Sequence, residues 1–311
     1  MIDPTAVPAH SSIFQQLLPG YPGREHWRLV PATDQHYLDL GAGDPLLFLH
    51  GNPTWSYAWR KLLPELAPHA RCLVPDLPGL GLSHHLALPP DPAARNRAQL
   101  DHLDALYHHL VHREGVAPRG WTLVVHDWGG PLGVAWLRRN PGIVSALVVL
   151  NTIAFPWPDG YRLPFHLRWI RDHRPVAAAV HATNAFARLT FRVGVTRPLS
   201  PAERRAYLLP HVRRGNRRAI TEFIRAIPRG DTDEAWRLLE PPGTSDDLRR
   251  MPMFVGWGMR DPVFTPLVLA EWTRRHPHAV VHRYPGAGHL VMEDAADELG
   301  PHICDFLRGQ R

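Results

Sequence analysis

The chain has 311 residues, of which 44% are hydrophobic and 21% charged, a composition typical of a globular protein that can bury a sizeable core. The formal net charge of +6 comes almost entirely from arginines scattered along the chain, without a basic tail or a nucleic-acid-binding motif, which argues against a nucleic-acid partner. The apolar run from Ile143 to Leu150 is far shorter than the ~20 residues that span a bilayer, so we expect no membrane span.

The first half of the chain alternates between predicted strands and helices. Residues 1–20 lack the basic segment and apolar stretch of a signal peptide, which favours a cytoplasmic location. From His26 to Leu40, two segments rich in β-forming residues flank a turn at 31–34 and predict a hairpin. Beyond it, the pattern predicts strands at 46–49, 72–74, 122–125 and 146–150, and helices at 55–66, 95–112 and 131–139.

Short apolar strands that alternate with longer helices predict a parallel sheet covered on both faces. The alternation stops between about Phe155 and Leu248, where arginine-rich helical segments with aromatic residues take over. It resumes with strands at 253–255 and 280–284 and a helix near 297–307. We therefore predict a core domain made of 1–154 and 249–311, interrupted by a helical cap at 155–248 that lies over the carboxyl edge of the strands.

The motif Val125-His126-Asp127-Trp128-Gly129 carries the strongest chemical signal. It stands where a strand must turn sharply into a helix, and its spacing matches a nucleophile elbow with aspartate in the place of serine. Val125 departs from the small residue usual two positions before the nucleophile. An aspartate before a helix is also a common N-cap, which is the structural alternative.

Two further residues complete a possible catalytic triad. Asp261 follows the predicted strand at 253–255, and His289 follows the strand that ends at Tyr284. Both therefore lie in loops at the carboxyl ends of strands, where active-site loops of open α/β sheets gather. The chain order of nucleophile, acid and histidine is the one expected for this kind of site, and we predict that Asp127, Asp261 and His289 act together.

An aspartate nucleophile implies different chemistry from a serine hydrolase. Carboxylate attack on a saturated carbon forms an ester between enzyme and substrate, and His289 can then activate a water molecule that hydrolyses it. Such attack needs a good leaving group, such as a halide, or a strained ring. Asn52 offers a side-chain amide and Trp128 an indole N–H, and two neutral donors aimed at one point suit a leaving anion.

Three motifs make the resemblance specific. The segments His50-Gly51-Asn52-Pro53-Thr54-Trp55-Ser56-Tyr57, His126-Asp127-Trp128-Gly129-Gly130 and Gly288-His289 together resemble those of the haloalkane dehalogenase family. The similarity extends from about Trp27 to Leu307. It implies an α/β-hydrolase fold: a mostly parallel eight-stranded sheet with a helical lid after the sixth strand. It also implies that Asp127 is the nucleophile, His289 the base, and Asn52 and Trp128 the halide-binding residues.

The position of the acid distinguishes subgroups of this family. One group carries it after the sixth strand, where this chain has Asn151, which cannot serve as an acid, so Asp261 must do so. Asn52 combined with Asp261 resembles the third subgroup, which also contains the β-lactone decarboxylases of bacterial olefin biosynthesis. The segments 151–155 and 184–187 are similar to that branch.

The sequence favours a haloalkane dehalogenase-like hydrolase acting on a small apolar substrate, with a β-lactone decarboxylase as the alternative. An epoxide hydrolase would need lid tyrosines, for which Tyr161 and Tyr207 are candidates. A binding protein without turnover would not need the five site residues. We expect neither a metal nor a cofactor: the histidines lack ligand spacing, and Cys72 and Cys304 lie in predicted core elements. The sequence leaves the oligomeric state open.

Overall fold

In the computed structural model, residues 12–230 and 247–310 are described. Eight strands form one sheet in the order β1-β2-β4-β3-β5-β6-β7-β8. These strands are β1 (Trp27–Val30), β2 (Gln35–Leu40), β3 (Pro45–Leu49), β4 (Arg71–Pro75), β5 (Trp121–Asp127), β6 (Val144–Thr152), β7 (Met253–Gly258) and β8 (Val280–Tyr284).

The described residues also form α-helices on both faces of the sheet and above its carboxyl edge. They are α1 (Ser12–Leu17), α2 (Leu63–Leu66), α3 (Pro92–His112), α4 (Gly129–Arg139), α5 (Phe165–Asp172), α6 (Arg174–Thr183), α7 (Ala185–Val193), α8 (Pro201–Leu208), α9 (Arg218–Arg225), α10 (Asp247–Arg250), α11 (Pro266–Arg275), α12 (Val291–Asp294) and α13 (Ala296–Arg308).

The sheet is mostly parallel and begins with an antiparallel hairpin, as predicted. β1 and β2 pair antiparallel as the expected hairpin, and β2 pairs antiparallel with β4. The remaining neighbours pair in parallel. Along β5, Val124 packs with α2 and α13 on one face, whereas Leu123 and Val125 pack with α3, α4 and α11 on the other. Burial on both faces explains why these strands are continuous apolar runs.

The helix predicted at 55–66 is wrong as a single element. Residues Ser56–Trp59 form a 3-10 turn, and a separate short helix, α2, begins at Leu63. The Ser56 amide donates to the buried Asp76 carboxylate at 2.6 Å, which fixes the start of the turn to the neighbouring loop. Pro64 has no N–H to donate, so it fits the first turn of α2 and disfavours a helix that continues through it from Trp55.

Helices α5 to α9 lie between β6 and β7, where the sequence predicts the inserted lid, and the described part of 155–230 contains no strand. The predicted cap also includes 231–246, which lie outside the described residues, so its division from the core stays a prediction. Within the described residues, no helix is long and apolar enough to cross a membrane.

Candidate active site

Asp127 lies at a sharp turn between β5 and α4. Its φ of 49° belongs to the left-handed region that non-glycine residues seldom adopt. The turn brings the start of α4 so close to the end of β3 that a Cβ on Gly129 would lie 1.9 Å from the Leu49 carbonyl oxygen. Val125 fits in place of a smaller residue because Gly133 faces it: a Cβ there would lie 2.9 Å from the valine. The elbow therefore forms despite this departure from the usual motif.

The two carboxylate oxygens of Asp127 have different surroundings. Oδ1 accepts a hydrogen bond from the Asn52 backbone N–H at 2.7 Å, and the Trp128 backbone N–H also donates to the carboxylate. Oδ2 lies 3.9 Å from His289 Nε2. Burial raises the pKa of Asp127, and the charge of His289 and the two backbone donors oppose that shift. Gly51 leaves room for the carboxylate, since a Cβ there would lie 2.1 Å from Oδ1.

His289 connects Asp127 with Asp261. Its Nδ1 lies 2.9 Å from Asp261 Oδ2, while Nε2 faces Asp127. Burial alone would lower the pKa of His289, but the charge and hydrogen bond of Asp261, with the charge of Asp127, raise it above the ordinary value. The structure thus brings together all three residues of the predicted triad.

Asp261 accepts four hydrogen bonds. Oδ1 accepts from the backbone N–H groups of Val263 at 2.7 Å and Phe264 at 3.1 Å. Oδ2 accepts from His289 and from the side-chain amide of Asn151 at 3.0 Å. Sequence reasoning considered Asn151 only as a residue unable to replace the acid and missed this contact. Asn151 also has a φ of 32°, in the positive-φ region where asparagine is enriched among non-glycine residues.

His126, next to Asp127 in the sequence, contacts the backbone of the His289 loop. Its Nε2 lies 2.9 Å from the His289 carbonyl oxygen, so this nitrogen carries the proton and donates it. Burial first, and then the charge of His289, lower the pKa of His126 well below its ordinary value. A neutral His126 therefore links the elbow to the backbone of His289.

Asn52 and Trp128 both border the same pocket as Asp127 and His289. The Asn52 side-chain amide donates to the Ile220 carbonyl oxygen of α9 at 3.0 Å, which leaves its second N–H for another acceptor. The Trp128 ring packs on Phe223, with centroids 5.3 Å apart. No described residue accepts a hydrogen bond from the Trp128 indole N–H.

The pocket has a volume of about 140 Å³, close to the roughly 150 Å³ of an apolar cavity that binds benzene. Its wall is mostly apolar and comes largely from helices α5, α7 and α9 and from the loop after β7; among its side chains are Leu167, Phe186, Val193, Ile224 and Phe264. Asp261 lies behind His289, away from this wall. Among the described residues, Tyr161 and Tyr207 do not border the pocket, and their hydroxyls donate to Val263 and Glu293. They are therefore not placed to protonate an epoxide.

Asp294 fastens the His289 loop to the segment that follows α7. Its buried carboxylate accepts from the Gly288 backbone N–H at 2.8 Å and from the backbone N–H groups of Thr196 and Arg197, each at 2.9 Å. The Leu290 N–H donates to the Gly194 carbonyl at 2.9 Å. The backbone on both sides of His289 is thus held by the same inserted segment.

Comparisons with known proteins agree with this fold. A family model described as alpha/beta hydrolase fold matches residues 44–296. The chain is 35% identical to a cis-3-alkyl-4-alkyloxetan-2-one decarboxylase of Shewanella oneidensis, covering 92% of this chain and 89% of that protein. Its identity to the Xanthomonas campestris protein of the same name is 36%, covering 89% and 93%. A haloalkane dehalogenase of Sphingobium indicum is 32% identical, covering 88% and 92%.

Among solved structures, the haloalkane dehalogenase DatA of Agrobacterium tumefaciens superposes with a TM-score of 0.77 at 25% identity, covering 91% of this chain and 96% of that one. Its similarity extends over the sheet and the inserted helices alike, since most of both chains is aligned. The chain belongs to the α/β-hydrolase family and, within it, to the group that contains the haloalkane dehalogenases and the cis-3-alkyl-4-alkyloxetan-2-one decarboxylases.

Proposed function

We propose that Asp127 is a nucleophile that attacks a saturated carbon, with His289 and Asp261 completing the triad. The observation that carries this proposal is that the two oxygens of one carboxylate have different partners: the Asn52 backbone N–H holds Oδ1, while Oδ2 faces His289 beside the apolar pocket. An aspartate that merely capped a helix would not need a histidine–aspartate pair aimed at its free oxygen. Helices α5 to α9 act as the cap that keeps bulk water from this oxygen.

The geometry supplies a complete route for ester hydrolysis. Neutral His289 takes a proton from water, the resulting hydroxide attacks Cγ of the Asp127 ester, and the negative charge develops on Oδ1. The Asn52 backbone N–H already contacts that oxygen, and the Trp128 backbone N–H donates to the same carboxylate, so these two groups supply the oxyanion hole. In carbon–halogen cleavage, the Asn52 amide and the Trp128 indole would bind the departing halide.

We propose a cis-disubstituted β-lactone as the substrate, because identity is 35–36% to the two decarboxylases and 32% to the dehalogenase. Asp127 Oδ2 attacks the saturated ring carbon C4, and the C4–O bond breaks to leave a carboxylate on C3. The bond from C3 to that carboxylate then breaks, its electrons form the C3–C4 double bond, carbon dioxide leaves, and the C4–Oδ2 electron pair returns to Asp127.

This sequence accounts for the stereochemistry without consuming water. Attack inverts C4, and anti elimination from the inverted ester converts a cis ring into a cis-olefin. Protonated His289, whose pKa is raised, attracts the carboxylate that forms on ring opening. Carbon–halogen cleavage is the second candidate, favoured by the two neutral donors beside Asp127 and by the similarity to dehalogenase structures.

The test is a side-by-side assay with a synthetic cis-β-lactone and 1-bromobutane, in which olefin and bromide are quantified. Rapid olefin formation with little bromide supports the decarboxylase, and rapid bromide release without olefin supports the dehalogenase. Freshly prepared Asp127→Asn, with its mass confirmed because slow hydrolysis could restore the aspartate, should lose both activities. Wild-type rates in that variant would overturn the assignment of the nucleophile.

A further inference from the structure

Helices α5 and α7 expose large apolar side chains. Phe165 and Trp169 are one helical turn apart on α5, at 67% and 56% exposure, and Leu189 and Val193 are one turn apart on α7, at 49% and 58%. The Phe165 and Trp169 rings contact each other edge to face, with centroids 6.4 Å apart. Exposed apolar clusters of this kind mark interaction sites more often than scattered single residues do.

The pocket reaches the surface at these helices. Leu189 and Val193 are about half exposed and also border the pocket, so they form part of its mouth. On α5, His166 borders the pocket, and its ring contacts that of Phe165. An apolar cavity of about 150 Å³ holds a molecule the size of benzene, so a long alkyl chain cannot fit within a pocket of about 140 Å³ and must extend through this mouth. We call the exposed surface formed by Phe165, Trp169, Leu189 and Val193 the mouth face.

Exposed arginines lie on the same helices as the mouth face and on the start of α6. Arg168 and Arg174 on the α5–α6 side, and Arg188 and Arg192 on α7, are exposed, and no described residue forms an ion pair with any of them. Residues 155–230 contain fifteen arginines and four acidic residues, a net charge of +11, while the whole chain carries +6. The remaining residues therefore carry −5, so the positive charge is concentrated in the helices that carry the mouth face.

We propose that the mouth face docks on an anionic lipid bilayer surface. Apolar side chains enter the boundary between headgroups and acyl chains, while surrounding arginines pair with lipid phosphates, and both contributions add to binding. Tryptophan is suited to this boundary, since its ring is apolar and its N–H polar. Charge complementarity favours a bilayer over a second copy of this chain, because two such faces would bring their unpaired arginines together. Docking would place the pocket mouth where apolar molecules concentrate.

The proposal can be tested by flotation of the full-length protein with vesicles, a readout independent of enzymatic activity. Vesicles of phosphatidylglycerol and phosphatidylcholine should bind the protein, and vesicles of phosphatidylcholine alone should bind much less. Binding should weaken as salt rises from about 0.05 M to 0.5 M, because the arginine contribution is screened. Arg188→Gln with Arg192→Gln should weaken binding about 25-fold, at about a factor of five for each arginine.

Matched variants distinguish binding through the mouth face from nonspecific binding through exposed arginines or apolar side chains elsewhere on the surface. Phe165→Ser with Trp169→Ser should also weaken binding, whereas Leu29→Ser with Val280→Ser, two exposed apolar residues of β1 and β8, should not. Arg113→Gln with Arg119→Gln removes two exposed arginines next to the amino end of β5, away from the pocket, and serves as the charge control. Thermal unfolding checks that each variant is folded.

Three results would overturn the proposal. The first is the absence of binding to anionic vesicles at low salt. The second is equal loss of binding in the control variants and in the mouth-face variants. The third is a dimer, detected by light scattering, that Phe165→Ser with Trp169→Ser disperses, because the mouth face would then be an interface between two copies of this chain.

Discussion

Asn151 and His289 donate to the same oxygen of Asp261, Asn151 from 3.0 Å and His289 from 2.9 Å. The amide oxygen of Asn151 accepts in turn from the Gly258 backbone N–H at 2.7 Å. Asn151 therefore fixes the Asp261 carboxylate relative to the end of β7. The position after the sixth strand, where related enzymes can carry the acid itself, here supplies a residue that orients the acid.

Asn151→Asp should weaken this arrangement, because a second carboxylate would face Asp261 in place of a donor. A buried hydrogen bond to a charged group contributes about 1.5–3 kcal/mol, so we expect kcat to fall about 10- to 100-fold. The added negative charge should also raise the pKa of His289 and so move the midpoint of the pH profile to higher pH. Asn140→Asp is the matched control, since Asn140 donates to Asp104 at 2.9 Å far from the pocket. An unchanged kcat in Asn151→Asp would show that Asn151 is not needed to orient Asp261.

The protonation of His289 should give the two candidate reactions opposite pH dependences. Its pKa is raised above the ordinary value by Asp261 and Asp127 against the effect of burial. Ester hydrolysis needs neutral His289, so bromide release should increase as pH rises through that pKa. Decarboxylation uses protonated His289, so olefin formation should decrease over the same range. Asp261→Asn should move either midpoint to lower pH, whereas Asp305→Asn, an exposed residue of α13, should not; a midpoint unaffected by Asp261→Asn would contradict the assignment.

His289→Gln should separate the two reactions as well. With 1-bromobutane, Asp127 can still be alkylated, but the ester cannot be hydrolysed, so intact-protein mass spectrometry should detect a stable adduct of one butyl group. With a cis-β-lactone, the route proposed above needs no water, so olefin should still form at a reduced rate. A variant that binds 1-bromobutane yet gives no adduct would argue against hydrolysis of an alkyl ester by His289.

Much of this site could be predicted from the chain because its signals are local. The elbow at Asp127 needs glycines at fixed offsets, and Asp261 and His289 each follow an apolar strand, so strand order alone places them at one edge of the sheet. The pattern of β-forming residues predicts the hairpin at 27–40, and the break in the strand–helix alternation predicts the helical insertion. The exact β8 bounds, Val280–Tyr284, follow from the same short-range signals.

Contacts between residues distant in the chain could not be predicted in the same way. Periodicity at 55–66 indicates a helix, but a contact of Ser56 with Asp76 fixes the start of a 3-10 turn there instead. For Asn52, the residue type suggests a side-chain donor, whereas its backbone N–H is the group that binds Asp127. Asp294 looks like an ordinary helix residue until the fold brings Thr196 beside it.

Asp294→Asn tests whether the inserted helices control the position of His289. The substitution places an NH₂ group against backbone donors from Gly288 or Thr196 and should cost about 1–3 kcal/mol of stability, measured by thermal unfolding. We expect alkylation of Asp127 in single-turnover experiments to stay near the wild-type rate, since Asn52 and Trp128 still hold that carboxylate. Hydrolysis of the ester should slow about tenfold or more, because His289 is no longer held in place. Loss of both steps together would indicate general unfolding, and retention of both would show that Asp294 does not position His289. Asp297→Asn, an exposed acid at the start of α13, is the control and should leave both steps unchanged.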